Sequence, residues 1–173
     1  KSAGLVNFMQ AGIRNLKEEA TFHSPMVGLF NLFNLMAAIG AVQMLTGRSI
    51  QEICEVVEYF AGVSGRMEVV SRDPLVIVDF AHTDDGMYQV LEAMKDREIS
   101  VVFGAGGNRD KGKRPRMGAV AGRYAKKIYV TSDNPRDEIP EMILEDILVG
   151  LQGKENVTAT PDRRLAIKLA LEN

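Results

Sequence analysis

Cysteine is nearly missing from this sequence: Cys54 stands alone in 173 residues. An internal disulfide is therefore excluded, and a reducing cytoplasm is the expected compartment. Cys54 sits among apolar helical positions, where a buried structural thiol is the preferred reading over a nucleophile. An excess of charge is missing too. Lys and Arg number 21 against 23 Asp and Glu, a net −2, so no global field argues for nucleic acid or an acidic membrane. No stretch approaches the roughly 18 uninterrupted apolar residues of a membrane span. The most apolar run, Leu29 to Leu45, is broken by Asn31, Asn34 and Gln43. A basic-then-apolar leader and an initiating methionine are both lacking, and Lys1 opens in mid-pattern, so a fragment of a longer protein is expected. No internal repeat or low-complexity tract is visible. What is present is ordinary for a globular chain, with 46% hydrophobic and 25% charged residues. The length suits one domain, or one small domain plus part of another.

Two textures divide the sequence. Residues 1 to about 65 hold short strand-like pieces and then two helices. The first helix, about 30 to 46, is apolar nearly all round and is expected to be buried. The second opens on Ser49 and Glu52 at capping-box spacing. Ile50, Ile53, Cys54 and Val57 follow with helical period, and Gly62 can end it. From residue 67 onward strands alternate with helices. Leu75–Phe80 reads as a buried parallel strand, being short, continuous and rich in β-branched residues. Ser100–Phe103 and Ile128–Thr131 are further strands, and a weaker one lies near Val157. Helical stripes run through Met87–Met94, Met117–Tyr124 and Ile143–Leu151, and Thr160 with Pro161 would open a last helix. The fold class is α/β with a mostly parallel sheet built from βαβ crossovers.

Ligands of open α/β sheets bind outside the carboxyl ends of the strands. The loops there are Ala81–Gly86, Gly104–Pro115 and Ser132–Pro140, and they hold nearly all the unusual polar chemistry. In the first, Asp79 ends an apolar strand, where a carboxylate needs a partner or a ligand such as two ribose hydroxyls. His82 could add a polar or stacking contact, and spacing alone leaves both residues at even odds. Asp84 and Asp85 read as helix caps. The second loop fits neither a dinucleotide fingerprint nor a Walker A loop, because Arg114 stands where Mg²⁺ chemistry needs Ser or Thr. It still packs Arg109, Lys111, Lys113, Arg114 and Arg116 into eight residues beside glycines. Anion binding is favoured over a solvated face by about two to one. In the third, Asp133-Asn134-Pro135 suits a plain Asx-type turn, and only Arg136 calls for more. Asn31 and Asn34 could read an adenine edge, or be an N-cap and a satisfied buried amide. Arg66 could reach a nucleotide lying between domains, or sit in a linker.

Taken in order, these segments resemble the Mur ligases, the diaminopimelate-adding UDP-N-acetylmuramoyl-tripeptide synthetases in particular. The matching pieces are Gly28-Leu29-Phe30-Asn31-Leu32-Phe33-Asn34, Gly62–Glu68, Val78-Asp79-Phe80-Ala81-His82-Thr83, Val102–Pro115 and Thr131–Arg136, with Asp162-Arg163-Arg164 beyond. The resemblance implies that residues 1–65 finish a central ATPase domain and that 66–173 form most of a C-terminal Rossmann-like domain. It implies that Asn31, Asn34, Arg66, Asp79 and His82 contact the nucleotide. Arg109, Asp133, Asn134, Pro135 and Arg136 would hold meso-diaminopimelate, the Arg136 guanidinium pairing with the distal carboxylate that lysine lacks. Leu29, Phe80 and Asp84 depart from residues frequent in relatives. The phosphate loop, the Mg²⁺ ligands and the family's modified lysine would lie upstream of Lys1, and a final substrate-binding segment beyond Asn173. No catalytic or metal-binding residue is expected within the chain itself.

The implied reaction joins diaminopimelate to UDP-N-acetylmuramoyl-L-alanyl-D-glutamate with ATP and Mg²⁺, through an acyl phosphate. The expected protein is cytoplasmic and monomeric, with no nucleic-acid partner and no membrane span, and the fragment alone is expected to be inactive. Alternatives are a lysine-adding or other Mur-type ligase, folylpolyglutamate-like relatives included, and a non-catalytic α/β module binding a nucleotide or amino acid. A structural fragment with no ligand site is the third.

Overall fold

A computed structural model describes residues 9–15 and 18–172. Lys1 and Asn173, which frame the expectations about the chain's ends, lie outside them. The chain forms two compact units, residues 1–79 and 80–173.

In the first unit, β1 (Met9–Arg14) and β2 (Glu19–Ser24) form an antiparallel hairpin. Strict alternation along β2 buries Ala20, Phe22 and Ser24 on one face, as a period of two demands. Two helices follow, α1 (Leu29–Thr46) and α2 (Ile50–Val57). The capping box is present: the Ser49 side chain accepts from the Glu52 N–H, and Glu52 accepts from the Ser49 N–H at 3.0 Å. Ile50, Ile53, Cys54 and Val57 are buried against β2 and α1, and burial pushes the Cys54 thiol pKa up, as befits a structural residue. Helix α2 ends at Val57 rather than at Gly62.

Helix α1 corrects the expectation of burial all round. Only Asn31, Leu35 and Ile39, spaced i, i+4, i+8, are buried, while Leu29, Phe33, Met44 and Leu45 are exposed. By length and composition α1 could cross a membrane. Here its buried stripe instead completes the core formed with β2 and α2.

The strand expected at Leu75–Phe80 is also corrected. Residues Leu75–Val78 form β4, which pairs antiparallel with β3 (Glu68–Arg72) around a bulge between Val69 and Ser71. Both are half-buried, and Phe80 is exposed. Pairing in an antiparallel ribbon leaves both strands only part-buried, so apolar content alone does not imply a doubly covered parallel strand.

The second unit carries the parallel sheet, in order β5 (Ser100–Phe103), β6 (Lys127–Thr131), β7 (Val157–Thr160). Helices α3 (Asp84–Glu92), α4 (Lys113–Tyr124), α5 (Pro140–Leu148) and α6 (Arg163–Glu172) alternate with the strands. Central β6 buries Ile128 and Val130 fully, as α4 does Met117 and α5 does Ile147. Each such side chain stabilises the fold by about 1.5–3 kcal/mol. Gly150, in the turn after α5, lies so near the start of α4 that a Cβ there would overlap the Pro115 carbonyl. Local starts differ from expectation in detail. Thr83 caps α3 by accepting from the Gly86 N–H, so Asp84 and Asp85 occupy its first turn. Asp162, not Thr160, caps α6, accepting from the Leu165 N–H at 3.0 Å.

Candidate functional site

Strands β5 and β6 end in register, Phe103 beside Val130, so the loops that follow leave the sheet side by side. Glycine makes their contact possible. A Cβ at Gly104 would overlap the Thr131 carbonyl, and one at Gly107 would overlap the Pro135 carbonyl. With no side chain in the way, the Gly107 N–H donates to the Asn134 carbonyl at 2.8 Å. The Arg136 guanidinium donates to the Gly107 carbonyl at 2.5 Å. The two loops thus form one rim.

Two non-glycine residues of that rim, Asn108 and Arg136, have left-handed backbones with φ of 52° and 49°. Asn tolerates this region, whereas for Arg it costs on the order of 1 kcal/mol. Surrounding contacts hold Asn108 in place. Its N–H donates to Glu138 at 2.6 Å and its side-chain amide to Asp137 at 2.7 Å.

The basic run is corrected in its role. Arg114 is fully buried and forks onto Glu138, with Nη1–Oε2 and Nη2–Oε1 both 2.9 Å, and reaches Asp146 at 2.8 Å. Lys111 lies 3.4 Å from Glu138, Arg116 pairs with Asp84 at 2.7 Å, and Lys113 donates to the His82 carbonyl at 2.7 Å. Their partners lie up to 32 residues away in sequence, which a local charge run cannot reveal. Among the described residues Arg109 alone of the five has no hydrogen-bond or ion-pair partner. The Arg114 guanidinium, helped by the Asn108 N–H, drives the Glu138 carboxyl down to about 2. Hydrogen bonding from Arg116 likewise lowers Asp84.

Arg109 and Arg136 meet at Gly106. A Cβ built there would lie 2.9 Å from Arg136 Nη1 and 3.9 Å from Arg109 Cγ. Both side chains are exposed. Guanidinium groups on such a rim offer donors suited to carboxylates. Asn134 and Pro135 belong to the same rim through their carbonyls, and Asp133 lies against Gly104, its Cβ 3.2 Å from where a Cβ would stand. His82 is exposed, with its ring edge-on to Phe80 at 5.2 Å between centroids. Lys113 and Arg116 tie its loop to α4.

In the first unit, Asn31 is buried and donates to the Val27 carbonyl at 2.8 Å, whereas Asn34 on the same helix is exposed. Asp79 accepts from the Met67 N–H at 2.8 Å, so it adjoins the segment of exposed Arg66. A cavity of about 310 Å³ lined by His23, Ser24, Pro25 and Glu58 includes none of the residues picked from sequence. Among the described residues no three His, Cys, Asp or Glu side chains group so as to hold a metal. Sequence reasoning missed Asn108, Asp137, Glu138 and Asp146. The available signal was an acidic pair just after Arg136 and an Asn just after glycines, the residue most tolerant of the left-handed region.

The domain model described as "Mur ligase, glutamate ligase domain" matches residues 65–173, more than half of the chain. The chain belongs to the Mur ligase family. The resemblance read from its motifs is thereby borne out. Over 172 residues it is 52% identical to the UDP-N-acetylmuramoyl-L-alanyl-D-glutamate–2,6-diaminopimelate ligase of Wolinella succinogenes, covering 99% of this chain and 40% of that protein. A solved ligase of the same name is 38% identical with a TM-score of 0.58, covering 92% of this chain and 34% of that one. A Mycobacterium tuberculosis folylpolyglutamate synthase complexed with ADP has a TM-score of 0.74 at 16% identity, over 97% of this chain and 40% of that one, and shows the shared fold alone. This Mur ligase chain therefore spans two fifths or less of the length of these relatives.

Proposed function

We propose that this chain supplies the amino-acid end, and part of the nucleotide contacts, of a cytoplasmic ATP-dependent ligase. That enzyme adds meso-diaminopimelate to UDP-N-acetylmuramoyl-L-alanyl-D-glutamate in peptidoglycan synthesis. The observation that carries the reading is the approach of Arg136 Nη1 and Arg109 Cγ to the same side of Gly106, in a chain whose curated relative carries that name. Diaminopimelate has a carboxylate at each end, and two guanidinium groups on one rim suit it. Lysine would leave one of them without its partner, which is how a site built for a polar group rejects the analogue lacking it.

In the proposed reaction the dipeptide carboxylate takes the terminal phosphoryl group of ATP, forming an acyl phosphate and ADP. An amine of diaminopimelate attacks the acyl carbon, phosphate departs with the bonding pair, and the nitrogen loses a proton. No residue of this chain is assigned a covalent or acid–base step. Its contribution is positioning, which can supply several kcal/mol, on the order of 7–11 in well-oriented intramolecular systems. Asn34 is assigned to the adenine edge, with Asn31 held behind it on the Val27 carbonyl, and Arg66, Asp79 and His82 are assigned to the sugar and phosphates. The family resemblance assigns the magnesium ligands upstream of Lys1, and no step is derived through the metal. Domain limits of 1–65 and 66–173, monomeric state and inactivity of this chain alone belong to the same proposal.

The test is Arg136→Ala in the full-length enzyme. It should raise the KM for diaminopimelate at least tenfold, as expected for one charge-assisted hydrogen-bonded pair of roughly 1.5–3 kcal/mol, with the ATP KM within twofold. Equal losses for both substrates would contradict the assignment.

A further inference from the structure

The best-buried charge in the second unit belongs to a residue that the proposed reaction does not use. Arg114 has no exposed surface, yet three of its contacts go to groups outside its own helix: Glu138, Asp146 and the Gly106 carbonyl at 3.2 Å. A cation in such a place persists only when its partners are fixed by good geometry. Glu138 is the link from Arg114 to the rim. One carboxylate receives the Arg114 fork, the Asn108 N–H and the Lys111 ammonium. Asn108 is the residue directly before Arg109, and Glu138 lies two residues after Arg136. Arg114 also binds the carbonyl of Gly106, the glycine flanked by both arginines. Its reach therefore touches both loops at the points from which Arg109 and Arg136 project.

We propose that Arg114 and Glu138 are positioning residues for the amino-acid site, a buried latch that holds Asn108 and Arg136 in their left-handed backbones and so sets the spacing of the two exposed guanidinium groups. The proposal rests on the reading of Arg109 and Arg136 given above. Arg is required rather than Lys because a planar fork serves both Glu138 oxygens and still reaches Asp146 and a carbonyl, whereas an ammonium is a point charge. Asp146 anchors the latch from α5 and touches neither loop directly among the described contacts.

The experiment uses the full-length enzyme with Arg114→Lys, Glu138→Gln, Arg136→Ala and a core control, Ile147→Val. For each, the KM values for meso-diaminopimelate and ATP, kcat and the melting temperature are measured. Glu138→Gln keeps the side-chain shape but turns one of its acceptors into a donor. It should raise the diaminopimelate KM roughly tenfold, the low end for losing a hydrogen bond to a charged group, and leave the ATP KM within twofold. Arg114→Lys should do the same in milder form, since it keeps the charge and loses the fork. Ile147→Val should lower the melting temperature and leave both KM values unchanged. If Glu138→Gln and Arg114→Lys only lower the melting temperature, as the core control does, the latch is structural and the proposal is overturned. Arg136→Ala separates the two layers of argument. A raised KM there with no change in the latch variants removes the positioning role alone, whereas no change in any of them removes the amino-acid site and the latch with it.

Discussion

Replacing Gly107 by Ala adds one methyl group at the narrowest point of the rim. The backbone φ at Gly107 is not in the left-handed region, so alanine has no conformational objection to this position. The objection is steric: the new Cβ would overlap the Pro135 carbonyl and lie 2.6 Å from its carbon. Backbone must therefore shift, and overpacking of this kind costs about 1–3 kcal/mol. The shift also strains the Gly107 N–H to Asn134 contact and the Arg136 contact to the Gly107 carbonyl. Because Asp133, Asn134, Arg136 and Asp137 are exposed, this loop can yield, and the effect should appear in binding more than in stability. Gly150→Ala is the matched control. Its Cβ would overlap the Pro115 carbonyl and lie 2.8 Å from the Ala119 nitrogen, in a packed contact between α4 and the turn after α5 that touches neither Gly107 nor Pro135. Both variants should lower the melting temperature of the full-length enzyme. Only Gly107→Ala should raise the diaminopimelate KM, by tenfold or more, with the ATP KM unmoved. A Gly107→Ala enzyme with the parental KM, or a Gly150→Ala enzyme with an equal rise, would refute the argument.

Ser49→Ala removes the α2 cap and should cost about 1 kcal/mol in thermal or urea unfolding, whereas Gly40→Ala, with nothing within 4 Å of its added Cβ, should gain about 0.5–1 kcal/mol. Glu138 has a folded pKa of about 2 against an ordinary 4.5. The stability it contributes is thus complete above 4.5 and lost as pH falls toward 2, and Glu138→Gln should flatten that part of a stability–pH curve. The Tyr124 phenol is pushed up to about 12, chiefly by its 2.6 Å hydrogen bond to Glu92. A spectrophotometric titration should show a tyrosine ionising near 12, and Glu92→Gln should return it toward 10.

Much of the fold was legible because its signals are local. The Ser49–Glu52 box, the stripe through Cys54 and the alternation that places β5, β6 and β7 between helices are written in short windows. The loops after β5 and β6 followed from that alternation, whereas the loop Ala81–Gly86 follows β4, outside the parallel sheet. What sequence did not disclose depends on partners far along the chain. β4 carries the composition of a buried parallel strand, but pairing with β3 decides its environment. The run from Arg109 to Arg116 reads as a positive patch until Glu138, Asp146 and Asp84 are brought against it, after which only Arg109 is unengaged among the described residues. Helix α1 is apolar on every side, and composition cannot say which side its neighbours cover.

The central claim is that Arg136 recognises a second carboxylate on the incoming amino acid. It is tested most directly by the ratio of kcat/KM for meso-diaminopimelate to that for L-lysine, measured on the full-length enzyme and its Arg136→Ala variant. The account predicts that the parental enzyme strongly favours diaminopimelate and that the variant loses roughly 10- to 100-fold of that preference. An unchanged ratio would contradict it.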